Sequence, residues 1–110
     1  MSLAVAKAEV FQQDYAKQFT WYVDEAGPEV AQRFQTSLDQ TLNKLARQPA
    51  LGRLRHFRNP RLRDLRSFQV DRPFQRLLVF YRVSGDVLNA VRLMHGARDL
   101  RHRLVEPPGN

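Results

Sequence analysis

The sequence predicts an α+β domain of two layers, in which two helices cover one face of a mostly antiparallel sheet. Two successive stretches in the first half carry apolar residues at helical spacing, whereas the stretches after residue 60 alternate as strands do. Helices and strands that are segregated in this way are typical of a two-layer α+β sandwich. A chain of 110 residues has room for a single core, and we expect one domain over residues 1–105 and a flexible tail over 106–110.

The first half predicts a short strand followed by a helical hairpin. The strand is expected from Leu3 to Ala8. The first helix is predicted from an apolar stripe spaced by three or four residues: Phe11, Tyr15, Phe19, Tyr22 and Ala26. Gly27-Pro28 ends that helix and begins the next, because glycine tolerates a left-handed stop and proline suits a first helical turn. The second stripe consists of Val30, Phe34, Leu38, Leu42 and Leu45, and its helix should end before Pro49.

The second half predicts a loop, three strands and a short final helix, so that the order is β-α-α-β-β-β-α. Residues 49–60 have proline at both ends and no clear period, which is typical of a loop. Strands are predicted over 62–70, 74–83 and 87–94, with a hairpin turn at Ser84-Gly85-Asp86. The final helix is expected to begin near Gly96, with Leu100 and Leu104 one turn apart.

Apolar residues on both faces mark the second of these strands as central in the sheet. One of its faces is predicted to carry Leu77, Val79, Tyr81 and Val83, and the other Leu78 and Phe80. In the last strand, alternation groups Val87, Val91 and Leu93 against Leu88, Ala90 and Met94.

Composition excludes several classes of protein. Hydrophobic residues make up 43% and charged residues 26%, which fits neither a disordered chain nor a membrane protein. The chain has no cysteine, so it has no disulfide framework and no thiolate chemistry. Its three histidines show no metal-ligand spacing, and no glycine-rich phosphate loop occurs, so we expect no metal and no cofactor. These features, with no apolar run long enough for a membrane span, suggest a cytoplasmic protein.

The charge is distributed unevenly along the chain. The net charge is +7, but residues 1–46 carry 4 basic and 6 acidic side chains, whereas residues 47–110 carry 14 basic and 5 acidic ones. All the basic residues of the second part are arginines, whose planar fork matches carboxylate and phosphate groups. Such a field favours nucleic acids or acidic protein segments as partners. Arginine enrichment that only solubilises the surface is the simpler alternative.

The last two strands and the residues after them carry a specific motif. Val79-Phe80-Tyr81-Arg82-Val83, and then His95-Gly96-Ala97-Arg98-Asp99 after a hairpin, resemble the ending of toxins of the RelE/ParE superfamily, and more closely those of the ParE type. Leu65-Arg66-Ser67-Phe68 matches a strand motif of that family. In the helical half, Trp21-Tyr22 and Pro49 also agree, so that the resemblance covers roughly residues 4–104.

The resemblance implies a small toxin of a type II toxin–antitoxin pair that an acidic antitoxin holds silent. ParE-like members bind and poison DNA gyrase without a catalytic site, and this is the activity we expect first. RelE-like members instead cut mRNA on the ribosome, using basic residues around the phosphate and a proton-transfer group. A homodimer or a hetero-oligomer with the antitoxin is compatible with either activity. A non-toxic module that only binds nucleic acid is a further reading.

Candidate site residues follow from these two activities. If the chain cleaves RNA, the catalytic residues are His95, Arg55 and Arg82, because imidazole suits acid–base work and guanidinium groups stabilise a charged phosphorane. A structural role for His95 at the strand-to-helix turn is the alternative, and Tyr81 is expected to be packed within its strand. Antitoxin contact is expected on the arginine-bearing sheet edge and on the rims of the two helix stripes. The residues expected to bind a partner or nucleic acid are Arg53, Arg55, Arg61, Arg66, Arg76, Arg92 and Arg98.

Overall fold

The computed structural model describes residues 2–96 and places two α-helices and five strands in that range. The strands are β1 (Ala4–Lys7), β2 (Arg53–Leu54), β3 (Arg66–Gln69), β4 (Leu77–Ser84) and β5 (Val87–His95), and the helices are α1 (Glu9–Ala26) and α2 (Pro28–Arg47). Short 3-10 turns occupy Pro49–Leu51 and Pro60–Leu62. The predicted final helix, with Leu100 and Leu104, and the predicted tail lie outside the described residues, so those predictions are untested.

The helical hairpin is confirmed. Gly27 alone separates the two helices; its φ of 96° is unfavourable for other residues, and its N–H donates to the carbonyl of Val23 at 3.1 Å. Pro28 opens α2, as the sequence predicted. The stripe of α2 is buried, with Phe34 and Leu45 fully covered. Neither helix of the described range is apolar enough to cross a bilayer.

The five strands form one mixed sheet in the order β1-β5-β4-β3-β2. Only β1 and β5 run parallel; the other neighbours are antiparallel, so the mostly antiparallel sheet is confirmed. The sequence predicted four strands and assigned 49–60 to a loop, which is wrong at Arg53 and Leu54. A strand of two residues is too short to show alternation, and its pairing to β3 cannot be read from local pattern.

Both faces of the sheet centre are covered, by different parts of the chain. On one face, α1 and α2 pack over the larger core, which includes Val79 and Tyr81 of β4. On the opposite face, Phe80 packs with Leu62 and Leu65, which belong to the segment 55–65. We call the first the helix face and the second the loop face. The central position predicted for β4 is therefore confirmed.

A β-bulge corrects the predicted faces of β5. Phe80 pairs with Arg92 but Tyr81 pairs with Ala90, so that Val91 is an extra residue in β5. The extra residue shifts the alternation by one, and Leu93 joins Leu88 and Ala90 in the core on the helix face. The predicted grouping of Leu93 with Val87 and Val91 is therefore wrong.

Val83 was expected in the apolar face of β4 but is 42% exposed. β3 begins opposite Tyr81, so Val83 lies beyond the part of β4 that β3 flanks.

Candidate functional site

The outer edge of β3 borders a groove of about 450 Å³. β2 pairs only with Arg66 and Ser67 of β3, so the strand continues past the end of its neighbour. The groove runs around this uncovered part of the edge. It is lined by Lys44, Leu51, Arg53, Arg55, Ser67, Phe68, Gln69, Val70, Asp71, Arg72, Gln75 and Leu78. We call it the β3-edge groove.

A second open cleft, of about 580 Å³, lies where β4 begins and β5 ends. The two strands meet here because Leu77 pairs with His95, and the N–H of Gly96 donates to the carbonyl of Arg76 at 2.9 Å. The cleft is lined by Arg55, Gln69, Gln75, Arg76, Leu78, His95 and Gly96. We call it the strand-end cleft. Arg55 belongs to both depressions, which therefore adjoin each other.

The side chain of Arg55, which lines both depressions, is held in place by two contacts. Its Nε donates to the Ser67 hydroxyl at 2.8 Å, and its guanidinium carbon lies 5.9 Å from the centroid of the Phe80 ring. Burial lowers the pKa of Arg55, and the positive charge of Arg53 lowers it further. No carboxylate of the described residues forms an ion pair with Arg55. The side chain is therefore held by Ser67 and Phe80, and within residues 2–96 no carboxylate neutralises its charge.

The three residues predicted for RNA cleavage are not brought together. Arg55 and His95 line the strand-end cleft, but Arg82 lies five residues further along β4 than the partner of His95, roughly 16 Å at the usual strand rise. The Arg82 guanidinium donates instead to the carbonyls of Arg61, at 3.1 Å, and Arg63, at 2.8 Å. Its role in the described structure is to hold the 3-10 turn at 60–62.

The structure also contradicts the binding role that was predicted for Arg92. It was expected at a partner surface, but it is 6% exposed and forms a two-pronged ion pair with Asp14 of α1, at 2.8 and 3.0 Å. The same carboxylate accepts the N–H of Leu93 at 3.0 Å. Since β1 ends at Lys7, α1 takes over beside β5, and Asp14 covers the strand edge that β1 leaves open. Arg92 therefore stabilises the fold and cannot contact a partner in this arrangement.

The other predicted binding arginines divide into two groups. Arg66 is half-buried and donates to the carbonyl of Gly52 at 2.8 Å, so it has a structural bond as well as a partly accessible side chain. Arg53, Arg61 and Arg76 are exposed, and their side chains make no hydrogen bond or ion pair with the residues that the structure describes. Arg98 lies outside the described range.

Tyr81 is packed, as the sequence predicted. It is fully buried; its hydroxyl accepts the N–H of Gly52 at 2.9 Å and donates to the carbonyl of Pro49 at 2.7 Å. Burial raises the pKa of Tyr81, although the Gly52 bond and the charge of Arg66 oppose that shift. The hydroxyl is committed to the backbone and is unsuited to proton transfer.

Sequence reasoning missed two cations of the β3-edge groove. Lys44 lies in α2, within the acidic first half of the chain, and reaches the groove only because α2 packs beside β3. Arg72 follows β3 directly and could have been found as one more arginine of the basic half. Only the three-dimensional packing identifies Lys44.

Comparisons with known proteins agree with this architecture. The model of the ParE toxin family, described as the toxin of the type II toxin–antitoxin system parDE, matches residues 6–100. A solved structure described as the chromosomal ParDE system from P. aeruginosa contains a chain that superposes with a TM-score of 0.68. That chain is 18% identical, and the match covers 86% of this chain and 96% of that chain, so the likeness concerns the fold. No curated protein sequence matches.

Proposed function

The chain belongs to the ParE toxin family of type II toxin–antitoxin systems, and from that premise we propose that it acts in the cytoplasm by binding DNA gyrase and is neutralised by an acidic antitoxin. The observation that carries the choice of a binding toxin over a nuclease is the separation of the candidate catalytic residues. Of the three candidates, Arg55 and His95 line the strand-end cleft, whereas Arg82 is held on the turn at 60–62 by bonds to the carbonyls of Arg61 and Arg63. Inhibition by contact requires none of these groups to converge.

The antitoxin part of the proposal is supported by uncompensated positive charge. Within the described residues, the exposed arginines Arg53, Arg61 and Arg76 have no acidic partner. A net charge of +7 attracts an acidic segment from a distance, and arginine forks can then bind its carboxylates in pairs.

A supercoiling assay tests the gyrase part. Purified chain added to gyrase and relaxed plasmid should reduce supercoiling in proportion to its concentration, and topoisomerase I relaxation of the same plasmid should be unaffected. Unchanged supercoiling at a large molar excess of folded chain would overturn the gyrase assignment. Growth arrest on induction, with rescue by a short acidic protein from the neighbouring reading frame, tests toxicity and neutralisation separately.

A ribosome-dependent endoribonuclease is the second candidate, because Arg55 and His95 line one cleft together with Arg76. Cations and an imidazole beside a shared depression are a minimum for cleavage at a phosphate. Mapping mRNA ends in a translating extract would show new cuts if this activity exists. An Arg55→Ala and His95→Ala double variant should abolish them, whereas Arg33→Ala, on the exposed surface of α2, should not; equal cutting by the double variant and the parent excludes these roles.

A further inference from the structure

The helical hairpin and the end of β1 border a third pocket, of about 290 Å³. Its wall is formed by the last residue of β1, the first turns of α1 and the middle of α2: Lys7, Phe11, Gln12, Tyr15, Gln35, Leu38 and Asp39. Residues at this spacing share one face of a helix, so both helices turn a face to the pocket. None of these residues lines the β3-edge groove or the strand-end cleft. We call this depression the hairpin pocket.

The floor of the hairpin pocket is apolar and already formed in the folded chain. Phe11 is 1% exposed and Leu38 is 2% exposed, and both belong to the core on the helix face. Tyr15 is half-buried, and its ring stacks on that of Phe34 with 5.6 Å between the centroids. A small ligand would therefore cover an apolar surface that needs no rearrangement to receive it.

The rim carries one cation and one anion that do not bind each other. Lys7 and Asp39 are exposed, and neither forms an ion pair with a residue that the structure describes. Burial raises the pKa of Tyr15, and the negative charge of Asp39 raises it further, so this carboxylate acts on the interior of the pocket. Within residues 2–96, the side chains of Tyr15 and Gln35 form no hydrogen bond, which leaves further polar groups for a ligand.

We propose that the hairpin pocket binds a free α-amino acid with an apolar side chain, with its carboxylate at Lys7, its ammonium group at Asp39 and its side chain on the apolar floor. Opposite charges on one rim match a zwitterion, because each charge of the ligand then meets a counter-charge. The volume is at the lower end of the range for small-molecule sites, about 300–1,000 Å³, and holds roughly ten water-sized groups at ~30 Å³ each. Leucine is of this size and represents the class. Such binding is independent of the proposed toxin activity.

Titration of the full-length chain with leucine and its derivatives, followed by calorimetry, tests the proposal. Leucine should bind with a Kd below about 10 mM. N-acetyl-leucine lacks the ammonium charge and leucine amide lacks the carboxylate, so each should bind at least roughly tenfold more weakly, the loss expected for one charged hydrogen bond. Glycine should also bind more weakly, because it leaves the apolar floor uncovered. N-acetyl-leucine amide, which resembles an internal residue of a peptide, should not bind.

Two variants match each charge of the ligand to its partner on the protein. Lys7→Gln should weaken the binding of leucine roughly tenfold but leave that of leucine amide unchanged, because the amide has no carboxylate to lose. Asp39→Asn should likewise weaken leucine and leave N-acetyl-leucine unchanged. Lys17→Gln and Asp24→Asn remove the same charges from exposed positions of α1 outside the pocket and should have no effect on either ligand. All four replaced side chains are exposed, so each variant should keep the far-UV circular dichroism of the parent.

Resonances of side-chain amides locate the bound ligand. The amide of Gln35 should shift on titration with leucine, whereas that of Gln75, which lines both other depressions, should not. Absence of leucine binding at about 10 mM, or equal losses for Lys7→Gln and Lys17→Gln, would overturn the proposal. Binding of leucine amide or N-acetyl-leucine as tight as that of leucine would overturn it in favour of a ligand with a single charge. None of these measurements involves gyrase, so a negative result leaves the proposed toxin activity intact.

Discussion

Tyr81 anchors the turn that follows α2 to the centre of the sheet. Its ring is fully buried in β4, and its hydroxyl bonds to the backbone of Pro49, the first residue of a 3-10 turn, and of Gly52, the residue after that turn. Gly52 lies directly against this ring: a Cβ built at Gly52 would come closest to the hydroxyl oxygen and would lie 2.7 Å from the ring atoms Cε1 and Cζ. The backbone approaches so closely that only glycine fits.

Gly52→Ala is therefore expected to lower the free energy of unfolding by about 1–3 kcal/mol, the usual cost of overpacking. Tyr81 cannot move aside, since its hydroxyl is held by two backbone bonds. Urea denaturation of the variant gives the value directly. Gly96→Ala is the matched control, because its Cβ would lie no closer than 3.5 Å to any of the described side chains around it. In a Tyr81→Phe background, which lacks the nearest oxygen, the cost of Gly52→Ala should shrink; an unchanged cost would show that the crowding lies elsewhere.

The Asp14–Arg92 pair predicts a larger effect from a single residue. Both side chains are more than nine-tenths buried, and Asp14 also accepts the N–H of Leu93. Asp14→Ala leaves the Arg92 charge without this carboxylate and the edge of β5 without an acceptor, so we expect a loss of about 3–5 kcal/mol. Thermal unfolding should show a correspondingly lower Tm.

A double variant that lacks both partners distinguishes the contribution of the ion pair to stability from that of the packing around it. Replacing a buried pair by apolar residues is often much less harmful than removing one charge. The Asp14→Ala, Arg92→Met double variant should therefore be more stable than Asp14→Ala alone. If the double variant has the lower Tm of the two, the loss of the carboxylate partner of Arg92 is not the cause of the destabilisation.

At the scale of elements, the segment 55–65 covers the loop face of the sheet, and Arg82 of β4 holds it there by hydrogen bonds. Leu62 and Leu65 bury their side chains there, while the Arg82 guanidinium bonds the carbonyls of Arg61 and Arg63. Arg82→Gln should loosen this segment and cost about 1 kcal/mol, since the bonds are partly exposed. Amide exchange at Leu62 and Arg63 should accelerate relative to the parent. Arg58→Gln, an exposed arginine of the same segment, is the control; equal acceleration in both variants would contradict the fastening role.

The sequence is a good guide to elements whose pattern is long and a poor guide to short ones. The stripe from Val30 to Leu45 repeats over several turns, and α2 begins and ends where proline and glycine indicate. β2 has two residues, and the bulge at Val91 adds one residue to β5 without any local signal. Both depend on pairing with distant strands, which periodicity does not record.

The candidate site shows the same limit. Charge counts correctly predict a basic second half, but they cannot say which arginines remain available to a partner. Arg92 is neutralised by Asp14, 78 residues earlier in the chain, and Arg82 bonds to backbone carbonyls about twenty residues away. Among the described residues, the predicted residues Arg55, Arg76 and His95 meet at the strand-end cleft, and the predicted residues Arg53 and Arg55 meet at the β3-edge groove.

At the scale of the whole molecule, the two halves of the chain contribute differently to the charge. The acidic first half supplies a carboxylate that stabilises the buried core, and the basic second half supplies arginines at the surface. The carboxylate of Asp14, in the acidic half, neutralises Arg92, the one buried arginine of the described residues. Arg53, Arg55 and Arg72, around the β3 edge, form no ion pair with the residues that the structure describes. This division explains how a chain of net charge +7 can form a stable core and still offer a cationic surface.

The free energy of unfolding is expected to fall at alkaline pH because the tyrosines are buried in the folded state. All three tyrosines, Tyr15, Tyr22 and Tyr81, have pKa values raised above 10.0, with burial as the main cause. The unfolded chain therefore loses these protons first, so the stability they contribute is complete below pH 10.0 and is lost as the pH rises through the higher folded pKa values. Urea midpoints between about pH 8 and pH 11 should fall steadily above pH 10.0. Tyr81→Phe should make the urea midpoint fall less steeply with pH, because it removes one of the three ionisations. A midpoint that stays constant up to about pH 11 would show that the folded tyrosines ionise as readily as the unfolded ones.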